Sequence, residues 1–166
     1  MGRSIKPRKP YRRHRGNPRI NTRKQPWLLE TTFGPMKEML DHIALHGSLE
    51  VSESEALVYR SLTTGKIYEV VEAIIAYAEI FGVMRLRDTV CPDVGPLRVL
   101  AAQLKDSQVS GEVLTTAAER LASVRSYAAS QSPADLADAA QSVAIRVYLD
   151  SADFHARGDD LALNRY

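Results

Sequence analysis

The apolar residues of this chain recur at intervals of three and four, and that period limits it to a helical fold. The pattern is clearest at Ile67, Val70, Val71, Ile74, Ala78 and Phe81, which fall on one face, while Glu69, Glu72, Ala76 and Glu79 fall on the other. A helix built this way must bury one stripe and wet the opposite one. Gly82 predicts its stop. The stretch Met84–Pro96 then reads as a connector, with Met84 and Leu86 alternating with Arg85 and Arg87 like a brief extended piece.

The same period places the other helices. Pro35 suits a first helical turn, and Met36, Met39, Leu40 and Ile43 follow at helical spacing towards Gly47. Ser52 and Glu55 have capping-box spacing, which predicts a helix from 52 to about Gly65. A short helix is expected from Pro96, with Leu97, Leu100, Ala101 and Leu104 inward. Ser110 opens a longer one with a stripe of Val113, Leu114, Ala117, Leu121, Val124 and Ala128. Ser132 caps the last, with Pro133 in its first turn and Leu136, Ala140, Val143 and Val147 inward, joined by Ala144 and Tyr148. No strand-rich region competes. The expected class is all-α: a compact bundle of five or six helices behind a disordered N-terminal arm. The expected boundaries are an arm over 1–26, a helical domain over 27–156 and a polar tail over 157–166.

The arm carries the strongest electrostatic feature. In "KPRKPYRRHR", Lys6 to Arg15, six of ten residues are Lys or Arg and none is acidic. Residues 1–24 hold Arg3, Lys6, Arg8, Lys9, Arg12, Arg13, Arg15, Arg19, Arg23 and Lys24, a charge of +10, and the rest of the chain carries −8. A basic arm on an acidic body is thus concealed by a net charge of +2. Pro7, Pro10 and Pro18 oppose a helix in the arm and keep it extended. Its few apolar residues cannot offset the entropy of ordering it.

These properties exclude several classes. The basic start is not followed by the apolar core of a secretory signal, and its prolines do not suit the amphipathic helix of a transit peptide. The most hydrophobic window, Ile67–Met84, contains Glu69, Glu72 and Glu79, so no membrane span is expected. The single cysteine, Cys91, cannot form an intramolecular disulfide, and a cytoplasmic location is expected.

Lys and Arg at this density suit phosphate, because neutralising a nucleic-acid backbone releases its condensed counterions. Arg can fork two bonds to one phosphate, Tyr11 can stack on an unpaired base, and His14 adds charge in acid. The arm's ten cations with Tyr11 and His14 are therefore the candidate nucleic-acid-binding residues. The competing readings are a solubility tail, an import-like basic run, or an arm for an acidic protein surface. The body itself could act instead as an adaptor, binding a partner protein or a second copy.

Other constellations are weaker. Glu38, His42 and His46 lie at i, i+4 and i+8 and share a helical face that could offer two imidazoles and a carboxylate to a metal. The HExxH order is absent, and a solvated stripe explains the three as well. "TTGK", Thr63–Lys66, resembles the end of a phosphate loop, but Arg60 occupies the place of its leading glycine and Ile67 that of its hydroxyl residue, so Gly65 reads as a helix stop. Cys91 has no neighbouring base, and adjacent Asp93 disfavours a thiolate. "RGDD", Arg157–Asp160, reads as part of the polar tail, and Asp135 and Asp138 as first-turn acids that complement the helix dipole. The exposed positions of the helices over 66–81 and 111–129 are too acidic or mixed for a groove-reading helix. No catalytic constellation and no cofactor motif emerge, so a non-enzymatic protein is expected.

"KPRKPYRRHR" followed by a helical body with the "GPLRVLAAQL" helix start, Gly95–Leu104, resembles uncharacterised small basic-armed proteins of proteobacterial phage and prophage regions. The resemblance implies a bacterial or phage context and no functional residue beyond the arm.

Overall fold

The computed structural model describes residues 21–147. Helix α1 spans Pro26–His46, α2 Val70–Arg87, α3 Gly95–Lys105 and α4 Gly111–Ser130. A fifth, α5, starts at 133 and is described to 147. A 3-10 turn over Thr22–Lys24 precedes α1. Between α1 and α2 lie strands β1 (Glu50–Val51), β2 (Leu57–Arg60) and β3 (Ile67–Glu69), an antiparallel sheet in the order β1-β2-β3.

The mostly helical expectation holds, but the chain is not all-α. The helix expected over 52–65 is replaced by two hairpins. Val58 pairs with Glu50 on one side and Glu69 on the other, and Tyr59 pairs with Tyr68. Val58, Tyr59, Ile67 and Tyr68 are the β-branched and aromatic types that pleated strands favour. Ser52 and Glu55 close a tight turn instead of a capping box. The Ser52 N–H donates to the Ala56 carbonyl at 2.8 Å and the Glu55 N–H to the Ser52 carbonyl at 3.0 Å, with Glu55 at φ 62°. A three-residue hairpin loop ends in a left-handed residue in this way. Gly65, at φ 69°, does the same for the second hairpin, so it is a strand-turn residue and not a helix stop.

Helix boundaries differ in two other places. Helix α1 begins nine residues before Pro35, which lies buried inside it. Helix α2 runs through Gly82 to Arg87, so Met84–Arg87 is helical and not extended. Met84 is buried and Leu86 faces out, as a helix requires. Ile67 leaves the expected helical stripe for β3 and is exposed. On α5 the buried residues are Ala139 and Val143, with Leu136 partly covered, while Ala144 and Val147 face out. Tyr148 and the rest of the C-terminal segment, with the 157–166 tail, lie outside the described residues.

The core sits where α1, α2, α3 and α4 meet. Phe33, Met36 and Met39 of α1 join Ile74, Ala78 and Phe81 of α2, Leu97 and Leu100 of α3, and Ala117 and Val124 of α4. Phe33 stacks edge-on against Tyr77 at 5.9 Å and lies at 5.7 Å from Phe81. Alanine on α4 lets its neighbours approach. The expected serine caps are in place. Ser110 accepts the Val113 N–H at 3.2 Å, and Ser132 accepts the Asp135 N–H at 3.1 Å. No helix among the described residues is long and apolar enough to cross a membrane.

Candidate functional site

The basic arm enters the fold through a clamp. Thr22 is fully buried, and both its donors end on the carbonyl of Gln131, the N–H at 2.8 Å and the hydroxyl at 2.7 Å. Gln131 is the residue that closes α4. The Gln25 N–H then turns back to the Thr22 carbonyl at 2.9 Å, and α1 begins at Pro26. Residues 22–25 of the expected arm over 1–26 therefore belong to the folded body. The signal was a polar Thr in a polar segment, and only a partner more than a hundred residues away gives it a role.

Of the candidate nucleic-acid residues, the structure describes Arg23 and Lys24. Both are exposed on the 3-10 turn and stand beside the end of α4, which has no basic residue in its last turn. Cations at that end meet the negative pole of the helix. Arg3, Lys6, Arg8, Lys9, Tyr11, Arg12, Arg13, His14, Arg15 and Arg19 lie outside the described residues.

Five of the ten Lys and Arg side chains described in the body form ion pairs within it. Arg125 bonds Glu30 at 2.9 Å and links α4 to α1. Arg87 bonds Asp138 at 2.7 Å and links α2 to α5. Glu79 holds Arg98 at 2.9 Å and Arg146 at 3.3 Å, bridging three helices, and Lys37 pairs with Asp41 on α1. Arg85 donates to the Cys91 carbonyl at 2.6 Å and shapes the α2–α3 connector. On α4, Thr115, Thr116 and Ser123 turn their hydroxyls back onto the carbonyls of Gly111, Glu112 and Glu119 of the same helix.

Glu38, His42 and His46 do share one face of α1, but their environments differ. The Glu38 carboxylate accepts the Leu62 N–H at 2.7 Å, the Thr63 N–H at 2.9 Å and the Thr63 hydroxyl. Burial acts to raise its pKa, yet the bonds from Thr63, Leu62 and Ser61 outweigh it and hold the carboxyl below its usual value. The His42 ring lies between His46 at 4.4 Å and Tyr59 of β2 at 5.3 Å. Among the described residues, no three His, Cys, Asp or Glu side chains converge as a metal would require. Glu38 is instead the tie between α1 and the second hairpin, a role its sequence context did not reveal. The loop does grip an anion, through the amides of Leu62 and Thr63 and the Thr63 hydroxyl, but that anion is the chain's own carboxylate.

Cys91 is fully buried, and its thiol points to the Phe81 carbonyl at 3.5 Å. Burial, with the Asp88 charge adding and Arg85 opposing, pushes the thiol up to about 11, which is unfit for a nucleophile at neutral pH. The acid that matters is Asp88, not the sequence neighbour Asp93. Asp88 also accepts the Val90 N–H at 3.0 Å and the Tyr127 hydroxyl at 2.9 Å, so this cluster organises the turn between α2 and α3. Asp135 and Asp138 are structural: Asp135 accepts the Ser132 hydroxyl at 2.6 Å, and Asp138 holds Arg87. The "RGDD" run lies outside the described residues.

Comparison of the chain with protein-family models, with curated proteins and with solved structures returns no match.

Proposed function

We propose that this chain is a small non-enzymatic protein that binds nucleic acid, or a nucleoprotein assembly, through its cationic N-terminal arm. The observation that carries the reading is the division of charge: +10 in residues 1–24 against −8 in the remainder. The engagement of Lys37, Arg87, Arg98, Arg125 and Arg146 in the body's own ion pairs supports it, because half of the ten cations described in the body already face one of its carboxylates. Arg3, Lys6, Arg8, Lys9, Arg12, Arg13, Arg15, Arg19, Arg23 and Lys24 supply the phosphate contacts, with Tyr11 and His14 in support. Contacts to phosphate carry no sequence information, so binding is largely sequence-independent. A cytoplasmic setting in a bacterium or its phage belongs to the same proposal.

The test compares the full chain with one beginning at Asn21, which keeps the Thr22 clamp. Duplex DNA binding is measured at two salt concentrations. Engagement of about 5–8 phosphates predicts a log–log salt slope of roughly −4 to −7 for the full chain. Equal affinity of the two chains sinks the reading.

A second reading has one observation in its favour. Leu62, in the loop of the second hairpin, is 88% exposed, and Ile67, which opens β3, is 58% exposed. Exposed apolar side chains on this hairpin suit an adaptor that binds a partner protein or a second copy. Light scattering of the full chain and of a Leu62→Ser variant tests self-association through that hairpin.

A further inference from the structure

A groove of about 340 Å³ opens between the first hairpin, the start of α2 and the end of α3. Leu57, Ile75 and Leu104 give it apolar walls, and Glu55, Glu69 and Glu72 stand at its rim. Lys105 is the one cation in the lining. The three glutamates are exposed, and none of them makes an ion pair among the described residues. Glu50 and Glu53 add to the same hairpin. Unpaired negative charge thus gathers at this end of the molecule, beside apolar side chains that remain accessible. Ile75 is 38% exposed and Val51 is 62% exposed.

We propose that this groove docks the chain's own segment Arg3–Lys9, "RSIKPRK", and so holds part of the arm away from nucleic acid. The docking stands on the groove; only the competition rests on the nucleic-acid reading above. Charge complementarity selects the class of occupant: Arg3, Lys6, Arg8 and Lys9 bring four cations and no acid to a rim of three glutamates and one lysine. Ile5 is the apolar side chain among them, matched to Leu57 and Ile75.

Reach selects the segment. The Thr22–Gln131 clamp fixes the arm's root at the N-terminal end of α1. The first hairpin follows the other end of that helix, whose 21 residues span about 31 Å. At the rise of an extended, proline-rich chain, eleven residues such as 10–20 would bridge about 34 Å, enough to bring Arg3–Lys9 to the groove. Arg15 and Arg19, at most seven residues from Thr22, would span about 22 Å at that rise, too short to reach the groove, and stay available for phosphate. Tethering favours this occupant over a second copy, because a short linker supplies an effective concentration in the millimolar range.

The experiment places a nitroxide at residue 4 of the full chain through Ser4→Cys, with Cys91 shielded by burial, and measures relaxation of the backbone amides. The expected result at low salt is strong broadening around Leu57, Glu69, Glu72 and Ile75. It is lost in the triple variant Glu55→Gln/Glu69→Gln/Glu72→Gln, and lost equally in Arg3→Glu/Lys6→Glu, which leaves the folded body untouched. Absence of broadening there, or broadening that survives both variants, overturns the docking. Broadening seen only between a labelled copy and a separate isotope-enriched copy assigns the groove to a second molecule and overturns docking within the chain. Duplex DNA is then added. Release of the broadening supports competition; contacts that persist while DNA binds overturn the competition and leave the docking standing. DNA that fails to bind any form, with the broadening intact, sinks the nucleic-acid reading alone.

Discussion

Glu38 and Thr63, 25 residues apart in sequence, join α1 to the tip of the second hairpin through a carboxylate that accepts both the backbone N–H and the hydroxyl of Thr63. The Leu62 N–H completes the grip. Because the folded carboxyl is held below its unfolded value near 4.5, the stabilisation is present above that value and is lost as pH falls through the lower, folded one. Glu38→Gln should cost about 1–2 kcal/mol at neutral pH, the modest end for charged hydrogen bonds because the site is open to solvent. Urea titrations at descending pH should show the difference from wild type shrinking below 4.5. A difference that does not vary with pH would contradict this account.

Gly34 lies where that loop crosses α1. A Cβ there would stand 3.0 Å from the Thr63 hydroxyl oxygen and 3.2 Å from its methyl carbon. Alanine in an open helix interior gains about 1 kcal/mol over glycine. Here Glu38 holds Thr63 in place, so Gly34→Ala should destabilise the protein instead. The same substitution in a Thr63→Ser background, which removes the methyl, should recover part of the loss in thermal denaturation.

Thr22→Val retains the shape of the arm's root and removes the hydroxyl bond to Gln131. The backbone bond survives, so the expected cost is about 1 kcal/mol. A urea midpoint that falls with an unchanged slope would show that the clamp contributes to global stability. An unchanged midpoint would show that the 3-10 turn opens independently of the body.

Cys91 should resist alkylation at pH 8 while the protein is folded, since its thiol lies at about 11 and is fully buried. Iodoacetamide labelling should follow the unfolding curve in urea. Rapid labelling of the native protein would contradict the burial that denies it a catalytic role.

Two serines with similar sequence credentials should behave differently. Ser110→Ala removes the cap of α4 and should cost about 1 kcal/mol. Ser52→Ala removes a side-chain bond of the same length, 3.2 Å to the Ala56 N–H, but within a turn that keeps its two backbone bonds. Its cost should be about half as large or less. Equal losses would mean that Ser52 matters beyond the turn.

Those two serines also mark where the sequence was legible. Ser110 and Ser132 announce helices because capping is local: the side chain and the N–H that it accepts lie within three residues. Ser52 and Glu55 share that spacing, but a three-residue hairpin loop satisfies it equally well. The choice fell to Val58 and Tyr59, which pair with Glu69 and Tyr68 in β3, contacts no short window contains. Pro35 and Gly82 were read as boundaries for the same reason. Local propensity disfavours them inside helices, and burial against neighbouring elements overrides it.

The amino-acid order alone determined the helical period of α2 to α5, the caps, and the separation of a basic arm from an acidic body, because periodicity and charge are properties of neighbours along a chain. Tertiary structure decided which polar groups meet. It turned the Glu38 stripe into a carboxylate tie, made Thr22 an anchor through Gln131, and gathered Glu55, Glu69 and Glu72 around one groove. Each of these depends on residues far apart in sequence whose bonds form only once the core has packed.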